Sequence, residues 1–342
     1  MGVALKDLII ADKIELKDLS GKTIAVDSFM WFYQFLSSIR ASDGTLFTDS
    51  NNHITSHLIG LSSRIPKLMQ SGINLAFVLD GQPPELKMHE RIRRKEIKIE
   101  AESKYKEATE KEDIAGMKKY AAMTSRINQE MIDDAVELIN AFGLPVIQAA
   151  SEAEAQAAYL VKKDEAYAVA SNDYDSLLFG APKIVRNLNI VGKKRKLKGG
   201  FEAIKPELLN ISDILNHLGI DQDQMIALGM LVGTDYNIGG IKGIGPKGAL
   251  KLVKEHNDLD TLFKKVEWAN YFDYPWTEVF YLIKKMPVSK EYELCWKKLN
   301  EKKLREVLVD KHNFSEERVS KIIEGLAEVK SKQEQKGLGR WF

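Results

Sequence analysis

Residues 73–80 read INLAFVLD, a short apolar run rich in β-branched and aromatic residues that closes on Asp80. Such a run is too short for a core helix flanked by turns and has the character of a buried strand. The same form recurs in KTIAVD (22–27) and AYAVASND (166–173), which close on Asp27 and Asp173, and in LPVIQ (144–148) and KIVRNLNI (183–190). Helical patterns such as ITSHLIGLSSRIPKLMQ (54–70) and INQEMIDDAVELINAFG (127–143) separate most of them. Strands alternating with helices predict an α/β fold: a mostly parallel central sheet with helices on both faces. In an open parallel sheet the carboxyl ends of the strands share one edge, where ligands bind. Three aspartates are therefore expected along that edge.

The 342 residues are enough for one large α/β domain with appendages or for two ordinary domains. Fifty Lys and Arg nearly balance 49 Asp and Glu, leaving a net charge of +1, so only local segregation of charge can point to a charged partner. A single cysteine, Cys295, excludes an internal disulfide and a cysteine-based zinc cluster, and suits a reducing compartment. The opening MGVALKDLIIADK lacks a signal-peptide core, no run approaches membrane-spanning length, and Lys6 stands where a myristoylation signal needs Ser or Thr. A soluble intracellular protein is expected.

Residues 85–130 are dense in Lys, Arg and Glu and carry no strand signal, which predicts an exposed helical insertion. Within it Lys87, Arg91, Arg94 and Lys98 recur at i, i+4, i+7 and i+11 and form one basic stripe. From spacing alone this is a solvated face steadied by pairs such as Glu90 with Arg94. VGKKRKLKGG (191–200) reads as a second basic loop, and residues 255–330 look predominantly helical. No internal repeat is present.

To the three strand-end aspartates are added Asp175 in SNDYDSLL, Glu152 and Glu154 in SEAEAQ (151–156), and Asp235 in LVGTDYN. SEAEAQ alone is an ordinary helix start, with Ser151 and Glu154 spaced as a capping box. Seven acids at one sheet edge cannot all stay ionised without cations to offset their repulsion. All-oxygen ligands select hard ions such as magnesium or manganese over zinc. Two such ions about 4 Å apart activate a water and stabilise a leaving oxygen in phosphodiester hydrolysis. On that reading Lys87 and Arg94 neutralise charge on the scissile phosphate. Phosphatases and response regulators also carry acidic constellations on α/β edges.

GIKGIGPKGA (240–249) is not a nucleotide-binding P-loop, because Lys247 is followed by Gly248. Its glycines let backbone N–H groups face outward at the start of the next helix, a sequence-independent grip on a phosphate backbone. Judged alone, an ordinary interhelical loop serves equally. The chain closes on QKGLGRWF, where apolar Leu338, Trp341 and Phe342 with Gln335 read as a short peptide that orders in a partner's pocket, or else folds back on its own domain.

Together VDSFMWFYQFL, FVLDGQPPELK, SEAEAQAAYL, SNDYDSLLFG, LVGTDYNIGGIKGIGPKGA and QKGLGRWF resemble the flap endonucleases, structure-specific 5′ nucleases of DNA replication and repair, in their archaeal form. The resemblance spans nearly the whole chain. It implies two magnesium ions, with manganese able to substitute, on Asp80, Glu152, Glu154, Asp173 and Asp175, completed by Asp27 and Asp235. It implies catalytic roles for Lys87 and Arg94 in a helical arch, and a base-stacking role for Tyr33. Gly243, Gly245 and Lys247 match a helix-hairpin-helix that binds duplex DNA and a potassium ion. Arg40 and Arg64 match residues of a 3′-flap pocket, and Gly2, exposed by methionine removal, lies near the substrate. Gln335, Leu338, Trp341 and Phe342 match a docking peptide for a sliding clamp of the proliferating cell nuclear antigen type.

The implied organisation is an N-terminal nuclease region with the start of the arch (1–98), an arch segment (99–117) and an internal nuclease region with the helix-hairpin-helix (118–258). A C-terminal helical region (259–330) and the docking tail (331–342) follow. The implied activity is cleavage of 5′ flaps near the junction, with 5′–3′ exonuclease activity, in Okazaki fragment maturation and base excision repair. The protein is expected to be a monomer without membrane association, cytoplasmic and nucleoid-associated; a eukaryotic member would be nuclear. Ala153, where many relatives have glycine, and Ala4 and Leu5 depart from the family pattern, and the chain lacks the lysine-rich extension of eukaryotic forms. The rival readings are a non-catalytic branched-DNA scaffold of the clamp, a related nuclease acting on bubbles, gaps or Holliday junctions, and a small-molecule phosphatase.

Overall fold

The computed structural model describes residues 3–190, 192–195 and 201–338. Seven strands form the main sheet: β1 (Asp12–Lys13), β2 (Thr23–Asp27), β3 (Asn74–Leu79), β4 (Val146–Gln148), β5 (Ala168–Ala170), β6 (Lys183–Arg186) and β9 (Glu207–Asn210). They lie in the order β1-β9-β6-β5-β2-β3-β4. The five neighbouring strands β4, β3, β2, β5 and β6 are parallel, and β9 and β1 add antiparallel pairings at the edge opposite β4. The chain builds outward from β2 through β3 to β4, then crosses back to lay β5 against the other side of β2. The strand order reverses between β2 and β5, where a doubly wound sheet opens a crevice at its carboxyl edge. A separate pair, β7 (Lys193–Arg195) and β8 (Phe201–Ala203), replaces part of the expected basic loop with an antiparallel ladder.

The period of two along the strands sorts the core into two layers. Ala25, Val78, Ile147, Val169 and Ile184 join one cluster, and Ile24, Val26, Leu75, Phe77, Leu79, Ala168, Ala170 and Val185 join the other. The second face is covered by α1 (Ser28–Ser38), α2 (Ser56–Gln70) and α5 (Gln129–Ala141), through Phe32, Leu61 and Leu138. The first face receives α6 (Ala153–Lys162), α7 (Asp175–Leu178), α8 (Ile211–Leu218), α9 (Gln222–Val232) and α10 (Pro246–Glu255). Helices thus cover both faces, as the strand pattern predicts.

Between β3 and β4 lie α3 (Met88–Glu110) and α4 (Ile114–Met123), joined by a short turn in which Asp113 caps α4 by accepting the Gly116 N–H at 3.0 Å. Of the 23 residues of α3 only Glu90, Ala101 and Ala108 are buried, so this hairpin stands clear of the core as a helical arch. Residues 259–330 divide between the two faces. α11 (Leu259–Lys265) and α12 (Trp276–Lys284) pack on the first cluster, whereas α13 (Glu301–Arg305) and α14 (Glu316–Leu338) pack on the second through Leu304 and Val319. An extended segment connects them. It is tied down by the Trp296 indole N–H on the Leu75 carbonyl (2.9 Å) and by backbone bonds from Lys297 to Gly143 and Asn300 to Ala141, both 2.8 Å. A helix there would have left those groups unpaired. No helix among the described residues is long and apolar enough to cross a membrane.

Candidate active site

All seven expected acids line one cavity of about 630 Å³ at the carboxyl edge of the sheet, together with Lys87, Arg94, Lys98 and Tyr33. Each carboxylate is set by local backbone. Asp27 ends β2 and caps α1, accepting the Met30 N–H at 3.1 Å. Asp80 follows β3 and accepts the Ala153 N–H at 2.7 Å, so it caps α6 from another strand. Asp175 accepts the Val3 N–H at 2.7 Å, and Glu154 accepts the hydroxyls of Ser171 and Ser176 at 2.7 and 2.9 Å.

The expected capping box at Ser151 is not formed. Helix α6 starts at Ala153 with Glu152 as its extended N-cap residue, and the Ser151 hydroxyl donates instead to the Gln82 carbonyl at 2.9 Å. That register explains how two acids two residues apart reach one cavity: Glu152 is outside the helix and Glu154 is inside its first turn. Gly81 makes the crossing possible, since a Cβ there would stand 2.2 Å from the Ala149 carbonyl oxygen.

Burial and mutual repulsion raise several of these groups. Asp27 is pushed up to about 8 by burial and then by Asp80, and Asp175 to about 7 by burial and then by Asp235. Burial is likewise the first cause raising Asp80, Glu152 and Glu154, and Asp175 adds to it at Glu154. Carboxylates raised in this way are those that hard divalent cations would hold ionised, and every donor among them is oxygen, so the residues fit magnesium or manganese. Among the described residues no three of these acids bring oxygens within 4.8 Å of one another; the one group of ligating side chains that close is Asp49, His53 and His312, outside this cavity.

The arch supplies the opposite charge. Lys87, at the foot of α3, places Nζ 2.5 Å from Glu152 and 3.5 Å from Asp235. Arg94 bridges Glu90 (2.6 Å) and both oxygens of Asp235 (2.7 and 2.8 Å). Burial works against the Lys87 ammonium, yet Glu152 and Asp235 outweigh it and hold its pKa above the usual lysine range. Tyr33 lines the cavity, partly exposed, with the Lys98 ammonium over its ring at 5.1 Å from the centre. The stripe's spacing pointed to these cations and to the Glu90–Arg94 pair within α3, but not to Glu152 and Asp235, which come from the turns after β4 and α9.

Further out, α9 and α10 are joined by a turn in which Gly240 passes so close to Leu231 that a Cβ would lie 2.4 Å from its carbonyl oxygen. Gly243 has φ +86° and Gly245 is the N-cap of α10; both face open space, and Lys247 is exposed. Arg40 is half-buried and donates to the carbonyls of Leu36 and Gly44 and to the Ser125 hydroxyl. Arg64 is buried, its Nε 2.6 Å from the Leu188 carbonyl, and burial lowers its pKa to about 10. Gly2, Trp341 and Phe342 lie outside the described residues, and of Gln335 and Leu338 only the backbone, in α14, is described. Sequence reasoning missed Ser171, Ser176 and the Val3 N–H, because each meets its acid across a turn or from the other end of the chain.

Residues 1–101 match the XPG N-terminal domain and residues 143–235 the XPG I-region. Flap endonuclease 1 of Thermococcus onnurineus is 47% identical over 344 residues, covering 100% of this chain and 99% of that protein. The structure of flap endonuclease-1 from Methanococcus jannaschii superposes with a TM-score of 0.76 at 36% identity, over 97% of this chain and 100% of that one. The catalytic core of Rad2 in complex with DNA substrate follows at 0.70 and 26%, over 95% and 100%. Matched along its whole length by archaeal relatives and carrying both XPG regions around one acidic sheet edge, the chain belongs to the flap endonuclease family.

Proposed function

We propose that this protein hydrolyses one phosphodiester near the junction of branched DNA bearing a 5′ flap, with accompanying 5′–3′ exonuclease activity, using two magnesium ions. The observation that carries the reading is one cavity lined by seven carboxylates, the arch cations Lys87 and Arg94, and Tyr33. Manganese would serve in place of magnesium, since both accept all-oxygen donors. When bound, such ions supply Lewis acidity toward the phosphate and lower the pKa of an attacking water. Asp27, Asp80, Glu152, Glu154, Asp173, Asp175 and Asp235 would hold them.

The other groups follow from their placement. Lys87 and Arg94 rest on Glu152 and Asp235, the charges that the ions would take over, and are then available to the scissile phosphate. Tyr33 would stack on a base beside the cut. The N–H groups around Gly243 and Gly245, with Lys247, would grip the duplex backbone, a potassium ion completing that turn. Arg40 is better placed than the buried Arg64 to meet a 3′ flap. Gly2 would lie near the substrate, and Gln335, Leu338, Trp341 and Phe342 would dock a monomer onto a sliding clamp. A role in Okazaki fragment maturation and base excision repair, in the cytoplasm, completes the reading.

The test is cleavage of 5′ end-labelled double-flap DNA with magnesium or EDTA, comparing the wild type with Asp173→Ala. Magnesium-dependent release of the flap near the junction, lost in the variant while DNA binding survives, is the expected result. Binding without cleavage across a series of divalent metals would overturn the reading in favour of a scaffold.

A further inference from the structure

A second group of ligating side chains lies away from the acidic cavity, where the connection between α1 and α2 meets the segment after α13. Asp49 and His312 are buried and His53 is half-exposed, and one ligand atom from each falls within 4.8 Å of the other two. The Asp49 carboxylate is divided in its duties. Its Oδ1 accepts the backbone N–H groups of Asn51 and His53, both at 2.9 Å, which locks the turn. Its Oδ2 is left facing two imidazoles, with His312 Nδ1 at 3.0 Å and His53 Nδ1 at 3.2 Å.

The far side of each ring decides the chemistry. His53 Nε2 lies 3.3 Å from Glu130, and His312 Nε2 lies 3.2 Å from Asp134, the latter not aligned as a hydrogen bond. If each ring were neutral and donated from Nδ1 to Asp49, both Nε2 lone pairs would point at carboxylates. If both were protonated, the two cations, ring centres 6.4 Å apart, would have to share the single Asp49 Oδ2 between them. A divalent cation on the inner nitrogens suits this arrangement, because each Nε2–H then faces a carboxylate, as the outer partners of metal-bound histidines do. Ligand atoms of a tetrahedral zinc site with bonds of about 2.1 Å stand roughly 3.4 Å apart, a few tenths from the two spacings to Asp49 Oδ2 here.

We propose that Asp49, His53 and His312 form a binding site for one zinc-class divalent cation, which pins the 49–53 turn to the C-terminal segment. Two imidazoles and one carboxylate favour a borderline ion such as zinc or cobalt, in contrast to the all-oxygen cavity. The exposed side of His53 leaves the fourth position to water. The backbone is already arranged for it, since Ser50 donates both its N–H (3.0 Å) and its hydroxyl (2.5 Å) to the Asn313 side chain next door.

The test uses the full chain, stripped with EDTA and titrated with Co2+, then with Zn2+, reading visible absorption and bound metal. The expected result is an intense tetrahedral cobalt band at one ion per chain that zinc displaces. It is retained in Asp173→Ala and absent from His53→Gln, whose half-exposed position spares the fold, as circular dichroism would verify. Glu130→Gln, touching only the outer nitrogen of His53, should weaken the affinity about 10- to 100-fold. Only weak octahedral bands, or a tetrahedral band unchanged in His53→Gln, would overturn the proposal.

Discussion

The acidic sheet edge and the helical arch meet at the same cavity but are held by different means. At the edge, carboxylates are fixed by short-range donors: Asp27 by Met30, Asp80 by Ala153, Asp175 by Val3, and Glu154 by two serines. On the arch, Lys87 and Arg94 are held by ion pairs to groups that incoming ions would claim. α3 has only three buried residues to anchor it. One region is preorganised by backbone N–H groups and serine hydroxyls, and the other by charges that can be exchanged. Transition-state stabilisation favours fixed dipoles at the reacting centre, whereas substrate entry favours the exchangeable contact.

The contrast breaks first at Asp173. Replacing it with alanine should lower flap cleavage by about 10,000-fold with little change in DNA affinity, if its part lies in the proposed chemistry alone. A loss of only a few-fold in single-turnover assays would mean that the edge is not the reacting centre. Next come the arch cations. Lys87→Ala and Arg94→Ala should each cost about 100- to 1,000-fold in single-turnover rate. If Lys87→Ala instead weakened DNA binding and left that rate intact, the arch would be a clamp without a chemical role.

A smaller effect is expected away from both regions. Lys247→Ala should leave cleavage at saturating DNA unchanged while reducing the slope of log affinity against log salt by about 1. Fluorescence anisotropy at several salt concentrations reads it directly, and an unaltered slope would remove Lys247 from the phosphate grip.

The smallest effect is on stability. Asp27 titrates at about 8 when folded against 3.8 as its ordinary value, so between those limits the folded chain binds a proton that the unfolded chain does not. Its contribution is fully present below pH 3.8 and is lost as pH rises through about 8; Asp175, at about 7, acts in the same direction. In EDTA the melting temperature should therefore fall as pH rises across that window, and magnesium should flatten the decline. Asp27→Asn should raise the melting temperature at pH 8 in EDTA by about 2–4 °C. A variant that melts lower than the wild type there would show that Asp27 is no source of strain.

What the sequence conveyed and what it withheld follow the range of the interactions. The strands were legible at Ile73–Asp80 and Lys22–Asp27 because an apolar run and its terminal acid are neighbours in the chain. Their convergence on one edge then followed from parallel topology. The start of α6 was misread because its acceptor, Asp80, comes from another strand, and nothing near Ser151 announces it. The extended segment before α13 hid for a similar reason: Trp296 answers to Leu75, 221 residues earlier. Asp49 and His312, 263 residues apart, left no local trace of their pairing. The basic stripe was visible as a period, and so was its i,i+4 pair of Glu90 with Arg94, but the pairs to Glu152 and Asp235 depend on how α3 lies over the sheet.

The bond from the Val3 N–H to Asp175 has a practical side for anyone preparing this protein. It fastens the amino end of the chain beside a carboxylate of the acidic cavity. An affinity tag or leftover protease-site residues added at that end would start within a few residues of Asp175, each reaching at most about 3.6 Å further. Fusions there would be expected to compete with DNA for the cavity mouth, so assays of activity call for a native amino terminus.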